Sequence, residues 1–301
     1  MKDKKYVLAV PNFSDGRRKE VIEEIVDEVR NVENVTLVSY EPEYDFNRTV
    51  VTLIGEPEPL KRALINMAGK SYELINMEEQ KGTHPRIGAQ DTIPLFPFKN
   101  ITLDECRELA EEIGSEIFEK YEVPIYFSGV NARNEKRKAL SFIRKGQYEG
   151  LKLVAHTDER KPDIGPNALH PTAGATIVSA DTEGLTAYNV FLNTEDIEIA
   201  KKIAKGVRGP SGGFSTIRAV GIKFPEREGV VVSMNMFDCQ KTPLYRAFNF
   251  VKQEAARYGV AVTGSEIVGP VKLDYLLNSL EYFLGLENLK KEQILETHLM
   301  K

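Results

Sequence analysis

The chain is poor in the residues that announce the common kinds of site. Among 301 residues there are two cysteines and four histidines. Cys106 and Cys239 lie far apart, which is neither a disulfide framework nor a zinc spacing; two buried thiols in a reducing, cytoplasmic setting are expected. His84, His156, His170 and His298 show no HExxH or paired-ligand spacing, so no metal site is expected. There is no GxGxxG fingerprint and no GxxxxGK[ST] loop, which argues against a nucleotide cofactor, and no GxSxG elbow. The glycine-rich "GPSGG" at 209–213 matches none of these. Basic residues are not in excess: the formal charge is -5, without the footprint of a nucleic-acid binder. Long apolar runs are missing as well. "YVLAV" at 6–10 and "GVVVSM" at 229–234 fall far short of the roughly 18 residues of a membrane span, and the run near the start is too short for the core of a signal peptide. No membrane or nucleic-acid partner is expected.

What is present is an ordinary globular composition, 42% hydrophobic and 28% charged. The apolar periodicity switches repeatedly between strand and helix. "YVLAV" reads as a buried strand ending at the turn "PNFSDG". Residues 17–30 put Val21, Ile22, Ile25, Val26 and Val29 on one helical face. "NVTLVSY" and "RTVVTLIG" read as strands, a helix runs from "EPEP" to about residue 70, and "YELINM" reads as extended. The same order returns later: strand 185–192, helix 195–205, strands "TIRAVGIKF" and "GVVVSMN", helix 243–258 and strand "GVAVTGSEIVG". Two β-α-β-β-α-β units predict an α+β fold of two ferredoxin-like subdomains. Between them, "TIPLFPF", a helix over 103–119 opened by the capping box "TLDE", "VPIYFSG" and a helix over 131–144 form a β-α-β-α extension of the first unit. The division is read as 1–178 and 179–301. Residues 156–176 carry no periodicity and predict an ordered ligand-binding loop. The tail 286–301 predicts an amphipathic helix serving packing or a homodimer surface.

The stretch "KGTHPRIGAQD", 81–91, contains the best single candidate for chemistry. Pro85 restrains the backbone of His84, and Gly82 and Gly88 permit bends or close approach. An imidazole titrates near neutral pH and can take and return a proton. Arg86 offers a planar fork for a carboxylate, and Asp91 could orient either side chain. Asn47 and Arg48 stand at the entry to a strand, Asn12 at the end of the first strand, and Asn189 on the matching strand of the second half. Amides in such places need partners and suggest a cleft for a flat, polar ligand.

The segments "VPNFSDGR", "NRTVVTLIGEP", "GTHPRIGAQD", "VPIYFSG", "IRKGQYEGL", "PDIGPNALHPTAGATIV", "AYNVFLNT" and "VTGSEIVG", occurring in this order, resemble the formiminotransferase domain of glutamate formimidoyltransferases over about residues 5–285. The resemblance implies two ferredoxin-like subdomains without the cyclodeaminase domain of some relatives. It implies transfer of a formimidoyl group from N-formimidoyl-L-glutamate to N5 of tetrahydrofolate, a co-substrate, in histidine degradation. His84 falls in the motif of the catalytic histidine. The folate-binding loop falls on Gly165, Pro166, Asn167, Ala168, Leu169, His170, Pro171, Thr172, Ala173 and Gly174. Glu41 matches an acidic active-site position where aspartate is usual, and is expected to raise the pKa of His84; Arg48 and Arg86 are expected to hold carboxylates. The chain departs from the pattern at Asn76, Gln80, Thr83 and Phe46, which leaves open a formyl-handling relative, a glutamate formyltransferase or a 5-formyltetrahydrofolate-processing enzyme; because ferredoxin-like pairs also serve as sensors, a non-catalytic folate or amino-acid binding module is the other alternative.

Overall fold

The computed structural model describes residues 4–225 and 227–298, and the chain forms two compact units, Met1–Thr182 and Glu183–Lys301. Both are mixed α+β. The first contains, in chain order, β1 (Tyr6–Ala9), β2 (Asn12–Phe13), α1 (Lys19–Asp27), β3 (Val35–Glu43), β4 (Arg48–Gly55), α2 (Pro57–Leu74), β5 (Gln90–Lys99), α3 (Leu103–Tyr121), β6 (Ile125–Gly129), α4 (Leu140–Ile143), α5 (Gln147–Val154) and β7 (Thr176–Ala180). The second contains β8 (Thr186–Leu192), α6 (Ile197–Val207), β9 (Ile217–Ile222), β10 (Val230–Met236), α7 (Leu244–Ala256), β11 (Val262–Val268) and α8 (Leu273–Leu284). No helix among the described residues is long and apolar enough to cross a membrane.

In the first unit β1 and β2 are one course broken at Pro11, which has no N–H to donate. Both halves lie between β4 and β5, antiparallel to each, and β3 pairs with the far edge of β4. On the other side β7 joins β5 in parallel and β6 joins β7 in parallel. In the second unit the order across the sheet is β11-β8-β10-β9, all antiparallel.

One core of the first unit is built from alternate strand residues such as Val7, Ala9, Val51 and Leu53, met by Ile22, Ile25 and Val26 of α1, Leu60, Leu64 and Met67 of α2, and Ile113 and Ile117 of α3. A smaller cluster is formed by Ile87, Tyr126, Ile143, Leu151, Ala175 and Ile177. It holds Ile87, three residues beyond His84, at zero exposure and so fixes one end of the histidine loop.

Three sequence expectations need correction, and one strand, β7, went unread. "YELINM" is not a strand: α2 continues through Leu74, closing with Ile75 N–H to Ser71 O at 3.0 Å. Its apolar spacing fits either period, and tertiary packing selects the helix. The fourth strand of the repeat is therefore β5. The helix expected over 131–144 is broken, because Asn134 caps a single turn and Arg137 is drawn inward to Asp163 (2.6 Å) and to the carbonyls of Glu159 and Lys161. The stretch 156–176 runs directly into β7, a strand with neighbours on both edges whose five residues are all buried, so it shows no alternation. The tail helix lies earlier than expected: α8 ends at Gly285 (φ 63°), where Leu286 N–H returns to Glu281 O at 3.0 Å. Short 3-10 turns follow, and 299–301 lie outside the described residues.

Candidate active site

Residues 81–91 follow a short turn after α2 and return into β5. Their first half leans on the hairpin between β3 and β4. A Cβ on Gly82 would stand 2.3 Å from Phe46 O, so only glycine allows this approach. Thr83 Oγ donates to Asp45 O at 3.1 Å. Asn47, in the left-handed region at φ 52°, ties three segments together: its Oδ1 accepts from Gly16 N at 3.0 Å, its Nδ2 donates to Lys81 O at 2.7 Å, and its carbonyl accepts from Gln80 Nε2 at 3.0 Å. These contacts hold His84 against Arg48, the first residue of β4. Arg48 Nη1 meets His84 Nε2, while Arg48 Nε is paired with Glu43 across the hairpin. Phe46 and the imidazole meet edge to face, with ring centroids 6.0 Å apart, and Arg48 lies over the Phe46 ring at 5.4 Å.

His84 is half-buried among cations. Burial first, then Arg48, Arg144 and Arg86, push its pKa down to about 3. The carboxylate expected to raise it is not the one at this place. Glu41 is exposed on β3 and accepts from Ser39 Oγ at 3.4 Å; Glu43, two residues on, reaches Arg48. Folded His84 refuses a proton that the unfolded chain accepts below the ordinary histidine pKa near 6.5. Its contribution is therefore fully present above pH ~6.5 and is lost as pH falls toward its folded value. His84→Gln is expected to flatten the decline of unfolding midpoint between pH 6.5 and 4; parallel midpoint curves for the two proteins would contradict the burial described.

Arg86 is directed into the fold rather than toward a ligand. At 4% exposure, its Nε donates to Gln80 Oε1 (2.7 Å), Nη2 to Gln80 O (3.0 Å) and Glu149 Oε1 (2.8 Å), and Nη1 to Gln147 Oε1 (3.0 Å) and Glu149 Oε2 (2.9 Å). All five N–H groups are satisfied by the protein, and the guanidinium holds Glu149 down to about 2. Asp91, 1% exposed, accepts from Ile87 N at 2.7 Å and pairs with Arg144, not with Arg86 or the imidazole. Sequence reading missed Glu43, Arg144 and Glu149 as parts of this constellation. Their only local signal was charge beside turn residues.

The stretch from Gly165 to Gly174 is anchored to the histidine loop. Gly174 (φ 74°) and Gly88 form a bridge, and a Cβ on Gly174 would stand 2.2 Å from Ile87 O. Ala89 N donates to Ala173 O at 2.8 Å, Ala175 N to Ile87 O at 3.1 Å and Met77 N to Thr172 O at 2.7 Å. Pro166, Asn167, Ala168, Pro171 and Thr172 remain exposed, with Leu169 and His170 half-buried. His170 Nδ1 accepts from Thr172 N (3.3 Å) and Ala173 N (3.0 Å), which fixes the neutral ring with its proton on Nε2; burial lowers its pKa. Asn12 on β2 donates to Thr92 Oγ and accepts through its carbonyl from Gln90 Nε2 at 3.0 Å. Asn189 belongs to the second unit, where its amide on β8 reaches Glu266 Oε2 on β11 at 3.4 Å. Among the described residues no group of three or more His, Cys, Asp or Glu is placed to hold a metal ion.

Two family models match the chain. That of the formiminotransferase domain, N-terminal subdomain, covers residues 6–181, and that of the formiminotransferase domain covers 187–301. A glutamate formimidoyltransferase of Streptococcus pyogenes serotype M1 is 39% identical over 297 residues, spanning 98% of this chain and 99% of its own. One of Thermoplasma acidophilum is 36% identical over 297 residues, spanning 98% and 97%. A formimidoyltransferase-cyclodeaminase of Gallus gallus is 36% identical over 291 residues, spanning 95% of this chain but 53% of its own.

Proposed function

This chain belongs to the formiminotransferase-domain family, and we propose that it is a folate-dependent transferase moving a formimidoyl group from N-formimidoyl-L-glutamate to N5 of tetrahydrofolate, with 5-formimidoyltetrahydrofolate and L-glutamate as products, in histidine degradation. What carries the reading is similarity to glutamate formimidoyltransferases along essentially the whole of both chains. The strand orders support a finer one: in each unit the fourth strand of the repeat lies beside the first, then the third, then the second, as in a ferredoxin-like β-α-β-β-α-β subdomain.

In the proposed reaction the N5 lone pair attacks the formimidoyl carbon to give a tetrahedral centre. His84 is the acid–base group. It takes the proton from N5 as the new C–N bond forms, and returns it to the glutamate nitrogen as the old C–N bond breaks, so the ring begins and ends neutral. Arg48, partly exposed and beside His84, holds a substrate carboxylate and places the reacting carbon. The exposed part of Gly165–Gly174 contacts the folate, and its hydrogen bonds to the histidine loop set pteridine and imidazole in register. Asn47 and Arg86 act as positioning residues for the loop that carries His84.

The test is direct. Purified protein is incubated with tetrahydrofolate and either formimidoyl-glutamate or formyl-glutamate, and the folate product is identified by mass. The formimidoyl adduct from the first donor is expected. Product from formyl-glutamate alone would assign a formyl transferase, and none from either would leave a binding protein.

A further inference from the structure

The contact between Arg48 and His84 poses a chemical problem. A guanidinium has only donors, so the ring nitrogen it meets must be the acceptor. That nitrogen is Nε2. Neutral His84 therefore carries its proton on Nδ1, and its one basic lone pair is covered by Arg48. In this arrangement the imidazole cannot take a proton from a substrate nitrogen through Nε2.

The surroundings keep it so. Three guanidiniums face the ring's neighbourhood: Arg48 from β4, Arg86 from the same loop and Arg144 from the end of α4. Their carboxylate partners Glu43, Glu149 and Asp91 lie on the guanidiniums, not on the imidazole. Lys81 adds a cation near Glu149, at 3.6 Å. Arg86 has no free donor and Arg144 is mostly buried on Asp91, its side chain 12% exposed. Arg48 differs. Its side chain is 23% exposed, it lies over the half-exposed Phe46 ring, and among the described residues its Nη groups hydrogen-bond to no carboxylate, Nε being the group held by Glu43. It is the cation of the three with capacity for an incoming anion.

We propose that Arg48 is a substrate-released latch on His84: a carboxylate of the glutamate-bearing substrate draws the Arg48 Nη edge away, and the uncovered Nε2 lone pair becomes the base. The guanidinium–imidazole contact has only one ionised partner, whereas a carboxylate brings a full opposite charge and two acceptor oxygens to the same fork, so the exchange from imidazole to carboxylate runs downhill. The bound anion also offsets the local positive charge, so the ring gains basicity when the reacting nitrogen arrives. A second consequence is protection: without a carboxylate the base is masked. Arg48 thus has two tasks, holding the substrate carboxylate directly and setting the state of the base through His84. This inference rests on the acid–base role of His84 given above.

The latch is read by nuclear magnetic resonance of the His84 ring in the intact chain, titrated with and without saturating L-glutamate, a dicarboxylate that carries no one-carbon group. Without glutamate the ring should be the Nδ1–H tautomer and resist protonation to well below pH 5. With glutamate its apparent pKa should rise by at least one unit. In Arg48→Met the ring should titrate higher from the outset and glutamate should no longer move it; Arg48→Lys, which keeps a cation, serves if the methionine variant does not fold. Kinetics give a separate signature. The acid limb of kcat/KM, which reports the free enzyme, should lie below that of kcat in the parent protein, and the two limbs should converge in Arg48→Met. A glutamate-independent His84 titration in the parent protein, or an Nε2–H tautomer without glutamate, overturns the latch. Full turnover in His84→Gln would instead overturn the acid–base role on which it rests.

Discussion

Replacing His84 by glutamine is expected to lower the transfer rate by ~10²–10⁴-fold, the usual contribution of a general acid–base group. The amide oxygen of glutamine can still accept from Arg48 Nη1, so the contact between the loop and β4 has a substitute and the fold should be retained. Glutamine cannot exchange a proton near neutral pH, and so the loss should fall on kcat with folate affinity little changed. Steady-state rates with formimidoyl-glutamate, beside folate binding followed by fluorescence, separate the two quantities. A variant with near-parental kcat would remove His84 from the chemistry.

The largest loss of stability is expected at Asp91→Ala. The carboxylate is 1% exposed, pairs with Arg144 and accepts the Ile87 N–H. Arg144 Nε is already a buried nitrogen without a hydrogen-bond partner among the described residues. Removing Asp91 would leave the guanidinium uncompensated and a second buried N–H unpaired. Breaking such a buried pair costs about 3–5 kcal/mol, and the melting temperature should fall on the order of 10 °C for a unit of this size. Asp91→Asn keeps an acceptor for Ile87 and should lose less. Thermal melts of the two variants decide it: equal, small changes would mean that Arg144 finds solvent when its partner is removed.

The sequence made some of this legible and hid the rest for physical reasons. Both β-α-β-β-α-β orders could be read because short strands alternate with helices whose apolar faces recur every three or four residues. The identity of the fourth strand in the first unit could not, since Leu74, Ile75 and Met77 suit either period, while β7 is buried on both faces and carries no alternation. The histidine loop stood out through its glycines and proline. The carboxylate beside Arg48 did not. Glu41 and Glu43 lie two apart on one strand, and only the register, with Glu43 opposite Arg48 and Glu41 opposite Val50, tells them apart. Arg86 looked free because its partners Gln147 and Glu149 are 61 and 63 positions away. Local pattern does not reveal which distant carboxylate meets which guanidinium, because that is set by the tertiary fold.

The backbone bridge between Gly88 and Gly174 has a consequence for hydrogen exchange. The amides of Ala89 and Ala175 donate across the same junction in opposite directions. Each hydrogen bond has one end on either loop, so parting the two loops at this bridge is a single opening event that releases both amides. Their protection factors should match, and a molecule that grips only the outer turn of 165–174 should slow exchange at Ala89, on the strand side of the histidine loop, by the same factor as at Ala175.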